Sequence, residues 1–453
     1  MRTMEQTHTR RASSDLEVIP PRGELRPSAS RATRARVVRV IDRLNIGGPA
    51  KHVVWLTAEP GDAFESVLIT GTVPPGEGDM GYYADAAGIE PIVISDMSRE
   101  LSPRDVVALW KLLVQFWKLK PQIIDTHKAK AGAVGRVAAI IYKWLTPSSL
   151  WLRPRQCRVV HTYHGHIFHS YYGPFKTRLF IGIERLLARV TDRIIAVSQQ
   201  QRWEICERFR VGRPEQFRVI PYGIDLDELV ETRGPFRAKL GIRKEELAVG
   251  IVGRLCEVKN HAMLLESAAH LTEPNNASPG IRFVVIGDGH LRDELESQSR
   301  KLGLADVVSF TGFRDDVPSL YADLDIVALT SLNEGMPLTL IEALCCGRPL
   351  AATEVGGVVD VMGERRESRD GFTIWDHGVT APSRDAVAFA SALRFLIERP
   401  ELRREMGERG RAFARSRLSK YRCIADTEQV YSELLSRGAE RAPASDAQPL
   451  IQS

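Results

Sequence analysis

Residues 326–347, IVALTSLNEGMPLTLIEALCCG, read as a short apolar strand over 326–329, a polar loop, and a helix that opens at Leu338 and runs to 344. A buried strand that gives way to a helix through a polar turn is the repeating unit of a parallel sheet covered by helices. Glu334 falls in the loop at the strand's carboxyl end, where open α/β sheets bind ligands. Gly335 lets backbone approach closely, and Met336 and Pro337 complete the loop. The N–H groups of Leu338, Thr339 and Leu340 at the helix start favour an anion such as diphosphate. Glu342, about one turn further in, can accept from both hydroxyls of a ribose. The alternative is a solvated helix start with an ordinary buried glutamate.

The same alternation extends in both directions. Upstream in this half, strands are expected at 249–252, 283–286 and 307–310, and downstream at 350–353, with helices at 262–271 and 291–302. A second series precedes it, at 37–41, 67–70, 92–95, 123–126, 159–162, 194–197 and 219–221, with a helix over 52–58 after the first strand. The fold expected is α/β: two doubly wound, Rossmann-like domains whose strand-end crevices face each other across a cleft. The boundaries expected are a disordered basic extension (1–36), a first domain (37–222), a linker (223–240), a second domain (241–405), C-terminal helices (406–436) and a disordered tail (437–453). The extension and tail are rich in Arg, Ser or Pro and poor in aromatics.

Several turns carry candidate chemistry. Gly253 and Arg254 follow the 249–252 strand, and Lys259 precedes the next helix, so both cations flank a helix start and can grip one anion. Isolated surface charges are the competing reading. Gly287 and Gly289 form a G-x-G turn that lacks the third glycine of a dinucleotide fingerprint. Phe310, Gly312 and Phe313 suit either a base-stacking rim or a core turn. In the first half, Gly47 and Gly48 form a turn whose N–H groups can face a phosphate or can simply turn the chain. His161, His164 and His166 invite a zinc reading, but no Cys, Asp or Glu completes a tetrahedral set at helical or finger spacing. His164 and His166 are better placed as hydrogen-bond donors to a sugar hydroxyl or a leaving oxygen.

Composition narrows the classes. The chain has 453 residues, 43% hydrophobic and 26% charged, with a formal charge of +5, too weakly basic to argue for nucleic acid. The cysteines at 157, 206, 256, 345, 346 and 423 include no C-x-x-C pair, which fits free thiols in a reducing compartment. No window supplies the uninterrupted apolar run of a membrane span, and the start has no apolar core of a secretory signal. Residues 109–120, with Trp110, Phe116, Trp117 and three lysines, and 143–155, with Trp144 and Trp151, suit either a membrane interface or packing against a sheet.

The segments GGPAKHV, THKAKAG, HTYHGH, VIPYGID, VGRLCEVKN, VIGDG, TGF and EGMPLTLIEAL, in this order from 37 to 431, resemble the retaining GT-B glycosyltransferases of family 4, also called group 1 glycosyltransferases. The resemblance implies that Arg254 and Lys259 hold the donor diphosphate. It places Glu334 on the transferred sugar with His164 beside it, and Glu342 on the ribose. Gly-Met-Pro-Leu after Glu334 departs from the commoner Gly-Phe-Gly-Leu, and Pro337 removes one N–H from the phosphate nest. The resemblance also makes 37–222 the acceptor-side domain and 241–405 the nucleotide-sugar-binding domain, with the helices of 406–436, the last of them around 406–435, crossing back to the first.

The resemblance implies front-face transfer with retention, and no carboxylate stands out as an enzyme nucleophile; no D-x-D follows a strand, so no metal or other cofactor is expected. The donor expected is a nucleotide-sugar, UDP-sugar first. The acceptor expected is a polyprenyl-linked saccharide met by a cytoplasmic enzyme, peripheral on the inner membrane face. A nucleotide-sugar epimerase of similar architecture and a non-catalytic sugar-nucleotide-binding scaffold remain as alternatives.

Overall fold

A computed structural model of the chain describes residues 34–74, 77–97, 102–147, 154–165, 173–226, 234, 236–272, 280–314 and 316–439. The first sheet is parallel and has seven strands: β1 (Ala35–Ile41), β2 (Phe64–Thr70), β3 (Ile92–Val93), β4 (Ile123–His127), β5 (Arg158–Tyr163), β6 (Arg193–Ala196) and β7 (Phe217–Val219). Their order is 3-2-1-4-5-6-7. The second has eight: β8 (Leu247–Val252), β9 (Ile281–Ile286), β10 (Val308–Gly312), β11 (Ile326–Leu329), β12 (Leu350–Thr353), β13 (Arg365–Arg369), β14 (Phe372–Trp375) and β15 (Gly378–Ala381). Their order is 10-9-8-11-12-15-14-13. Each sheet reverses its winding at one place, between β1 and β4 and between β8 and β11, and at such points ligand crevices open beyond the strand ends.

The central strands are covered on both faces, which is why they read as near-continuous apolar runs. Val37, Val38, Val40 and Ile41 of β1 are fully buried, as are Val327 and Ile326 of β11. The strands expected at 326–329 and 350–353 are observed with those bounds. The strand expected at 219–221 lies two residues earlier, because Phe217 is a buried core residue and pairing with β6 runs through Phe217 to Val219. The helix expected over 52–58 starts earlier, at Gly48, with Pro49 supplying a preset φ in its first turn. β13, β14 and β15 had no counterpart in the sequence reading. β13, Arg-Arg-Glu-Ser-Arg, is an exposed charged edge strand with no apolar alternation to betray it.

The C-terminal segment expected to cross back over 406–436 comprises two helices, rather than one continuous last helix from about 406. Pro400–Arg417 stays with the second sheet, where Gly407 and Gly410 let it close onto Gly347 and Leu344. The chain then breaks at Leu418 and Ser419, and Lys420–Ala439 lies on the first sheet. Its Cys423, Val430, Tyr431 and Leu434 share a core with Val37, Phe64, Ile123 and Ile195. The two crossovers run side by side: Ile224 N–H donates to Leu418 O at 2.9 Å, and Lys420 N–H donates to Ile224 O at 2.9 Å.

Candidate functional site

Four turns meet beyond the carboxyl ends of β8, β9, β10 and β11. Gly253 N–H donates to Ile286 O (3.0 Å), Leu255 N–H to Asp288 O (3.0 Å) and Gly287 N–H to Gly312 O (2.9 Å), so these turns are laced to one another. Thr330 Oγ1, just past β11, donates to the carbonyls of Lys259 (3.1 Å) and Asn260 (2.9 Å). That lacing sets Lys259 Nζ 2.5 Å from Glu334 Oε1, and Ser331 Oγ donates to the same oxygen at 2.6 Å. Arg254 is exposed in this mouth and makes no ion pair among the described residues. Its field reaches Lys128 on the first domain and helps lower that ammonium's pKa, after the larger effect of burial and partly against the attraction of Asp42. Phe313 is exposed at the rim.

The helix Leu338–Cys345 starts in the same mouth, with Pro337 as an N-cap that offers no side-chain acceptor. Leu340 N–H donates to Pro337 O at 3.1 Å, so it is not free for an anion as expected. Leu338 and Thr339 keep the first-turn N–H groups that a helix cannot satisfy itself. Thr339 Oγ1 is buried there without a hydrogen-bond partner among the described residues. The Met336 side chain is packed inward with Tyr222, Leu340 and Val358, so only its backbone can meet a ligand. Glu342 accepts from Tyr321 OH at 2.9 Å, and Lys51 Nζ of the first domain lies 3.3 Å from its other oxygen.

The two halves touch here. Gly335 is packed so tightly that a Cβ on it would lie 2.2 Å from the His164 carbonyl oxygen. Gly48, at the start of the helix Gly48–Ala58, would place a Cβ 2.7 Å from Leu338 Cδ1. Gly47 caps that helix at φ 151°, a conformation other residues rarely adopt. The two helix starts, at Gly48 and Leu338, therefore meet at the mouth.

Both ring nitrogens of His164 are engaged. Nδ1 lies 2.5 Å from Tyr222 OH and Nε2 lies 2.9 Å from His127 Nδ1. His127 Nε2 is 3.2 Å from Asp125 Oδ2, at ion-pair distance rather than in hydrogen-bond alignment, and Tyr431 OH donates to that carboxylate oxygen at 2.6 Å. A carboxylate only accepts, so a proton on His127 Nε2 orders the row: His164 Nε2 donates to His127 Nδ1, and Tyr222 OH donates to His164 Nδ1. Burial, with His127, His52 and Lys128 nearby, holds His164 well below its ordinary pKa, and burial together with His127 lowers His52 to about 3. Burial would raise the Asp125 carboxyl, but His127, Arg39 and Tyr431 outweigh it and bring it down to about 2. A sugar hydroxyl reaches the His164 ring only by displacing Tyr222 or His127.

The structure thus gathers Gly253, Arg254, Lys259, Glu334, Gly335, Leu338, Thr339 and Glu342 with Gly48 and His164, while Gly287 and Phe313 sit on the flanking turns. His166 and Trp151 lie outside the described residues. Lys51, His127, Lys128 and Tyr222 were not singled out from sequence, although His127 and Lys128 stand in THKAKAG at the carboxyl end of β4, a position that signals a ligand crevice. Of the aromatic patches, 109–120 mainly packs: Leu112, Leu113 and Phe116 are buried, whereas Trp110 is exposed. The six cysteines are unpaired. No helix among the described residues is long and apolar enough to cross a membrane.

Residues 232–413 match the family model described as glycosyl transferases group 1, and residues 46–228 match glycosyltransferase family 4. The chain is 31% identical over 271 residues to the Escherichia coli protein named UDP-Gal:alpha-D-GlcNAc-diphosphoundecaprenol alpha-1,3-galactosyltransferase. That match covers 59% of this chain and 66% of the relative, just short of two thirds of its length. Among solved structures, Anabaena HepE in complex with UDP and glucose superposes with a TM-score of 0.68 at 20% identity, covering 88% of this chain and 100% of that one. Sucrose-phosphate synthase from Thermosynechococcus elongatus superposes with a TM-score of 0.70 at 20% identity, covering 89% and 100%. These two establish likeness of fold.

Proposed function

Since the chain belongs to the group 1, family 4 glycosyltransferases, we propose that it transfers a sugar, with retention of configuration, from a UDP-sugar to a polyprenyl-linked saccharide in polysaccharide or glycoconjugate assembly. The observation that carries this reading is the convergence of Arg254, the Lys259–Glu334 pair and the uncapped start of the helix Leu338–Cys345 at the switch point of the second sheet.

In this reading Arg254, Lys259 and the N–H groups of Leu338 and Thr339 receive the donor diphosphate, where charge builds as the glycosidic bond stretches. Glu334 meets the transferred sugar, and Glu342, steadied by Tyr321, receives the ribose. His164, locked by Tyr222 and His127, forms the wall beside the sugar with its main chain against Gly335. The leaving phosphate oxygen takes the acceptor proton, and the acceptor attacks from the same face. No divalent metal takes part. The E. coli relative's name specifies a UDP-sugar and a diphosphoundecaprenol-linked acceptor, and HepE binds UDP and glucose, which supports the donor and acceptor proposed.

The test begins with thermal stabilisation by UDP-, GDP- and ADP-sugars, since a ligand stabilises the native state according to its affinity. The UDP-sugar that stabilises most is then supplied with a polyprenyl-diphosphate saccharide or a small soluble acceptor, and the product's anomeric configuration is read by NMR. Retained linkage to the lipid-linked saccharide is expected. Faster transfer to the soluble acceptor refutes the acceptor, product formed from donor alone identifies an epimerase, and binding without release of nucleoside diphosphate identifies a scaffold.

A further inference from the structure

The helix Pro174–Ala188, which follows β5, His164 and Gly165 in the chain, turns an apolar stripe to solvent. Phe175 is 81% exposed, Leu179 53% and Leu186 61%, with Gly182 and Ile183 exposed beside them. At about 100° per residue these positions fall within one arc of about 100°, the geometry of an apolar face. On this helix that face points away from the sheet.

Charge says what the face meets. Arg178, Arg185 and Arg189 are exposed along one flank of the stripe and Lys176 along the other. The helix's one acidic residue, Glu184, is turned inward, where Arg136 donates to both its oxygens at 2.8 Å and Tyr163 bonds to it. The inward pairing leaves the outer face without negative charge from its own helix. The stripe continues past the helix end into exposed Val190, which with Trp144 lines a groove of about 490 Å³ where the cations Lys143, Arg189, Arg193 and Arg213 outnumber the acids Asp192 and Glu215. An apolar face edged by cations is the pattern of a helix lying in the plane of a lipid interface.

We infer that the outer face of the helix Pro174–Ala188, continued by Val190 and Trp144, docks on an anionic lipid surface. Phe175 and Leu179 seat among acyl chains, and the arginines meet headgroup phosphates. The helix begins on the side of the first sheet that carries His164, so docking brings the membrane to the acceptor side of the cleft. In that respect the inference rests on the lipid-linked acceptor proposed above.

The full chain is sedimented with vesicles of phosphatidylcholine alone and of phosphatidylcholine mixed with phosphatidylglycerol. Binding is expected to the mixed vesicles and to weaken with added salt. The exposed pair L179S/L186S is expected to lower partitioning at least about tenfold, given the apolar area withdrawn. R178E/R189E is expected to lower it at least about tenfold, at roughly fivefold per cation lost. W110S is expected to leave binding unchanged. Equal binding to pure phosphatidylcholine, indifference to L179S/L186S, or loss only in W110S overturns the inference. A concentration-dependent dimer abolished by L179S/L186S, without vesicle binding, also overturns it by showing that a second copy covers the face. Transfer to a detergent-solubilised lipid-linked acceptor by a chain that ignores vesicles sinks the docking face alone. Vesicle docking without any such transfer sinks the acceptor alone.

Discussion

Lys259 Nζ and Glu334 Oε1 stand 2.5 Å apart, joining the turn after β8 to the loop after β11. One residue is proposed to hold phosphate and the other sugar, so the pair fixes the spacing of the two subsites. Lys259→Ala is expected to lower kcat on the order of 10²–10³-fold, the usual result of losing one preorganised charge in a transition-state site. Circular dichroism and the thermal midpoint verify the fold, and near wild-type turnover in a folded variant refutes the role.

Arg254→Ala is expected to reduce turnover on the same order with little change in stability, because this exposed arginine makes no ion pair among the described residues. Transfer should be unaffected by a chelator in wild type. Loss on chelation, restored by one added divalent metal, contradicts the metal-free reading.

Gly335→Ala forces a Cβ to within 2.2 Å of the His164 carbonyl oxygen, so one of the two loops has to move. Overpacking of this kind costs about 1–3 kcal/mol. Calorimetry of UDP binding is expected to show weakened affinity along with the lost stability, and unchanged affinity would show that the loop contact does not shape the donor site.

Acid weakens this protein in a particular window. His161 and His164 are held well below 6.5 by burial, His52 at about 3 and His261 at about 4. Each is neutral in the native state and takes a proton on unfolding, so the unfolded state binds more protons as pH falls below 6.5. Stability therefore declines from about pH 6.5 toward pH 4, by up to about 1.4 kcal/mol per pH unit for each such histidine. Urea unfolding across that range measures the slope, and a flat profile rejects the neutral buried cluster.

Tyr431→Phe removes the hydrogen bond to the buried Asp125 carboxylate. A loss of about 1.5–3 kcal/mol is expected, as for other bonds to charged groups. Urea unfolding measures the loss, and an unchanged stability of the variant rejects a stabilising role for this hydrogen bond.

The alternation of buried strands and helices could be read from the amino acids alone, since doubly covered strands must be apolar throughout and their turns must be polar. The turns around Arg254, Lys259 and Leu338 could also be picked out there as the anion site proposed, since that reading needs only charge and a helix start next to a strand end. β13 escaped because an exposed charged edge strand has no apolar pattern to read. Packing brought Lys51 to Glu342 across 291 positions of chain and Tyr431 to Asp125 across 306, and it occupied both ring nitrogens of His164. Those contacts depend on how two sheets and a returning helix pack. Local periodicity records only which face of an element is buried, and carries no register between elements so far apart in the chain.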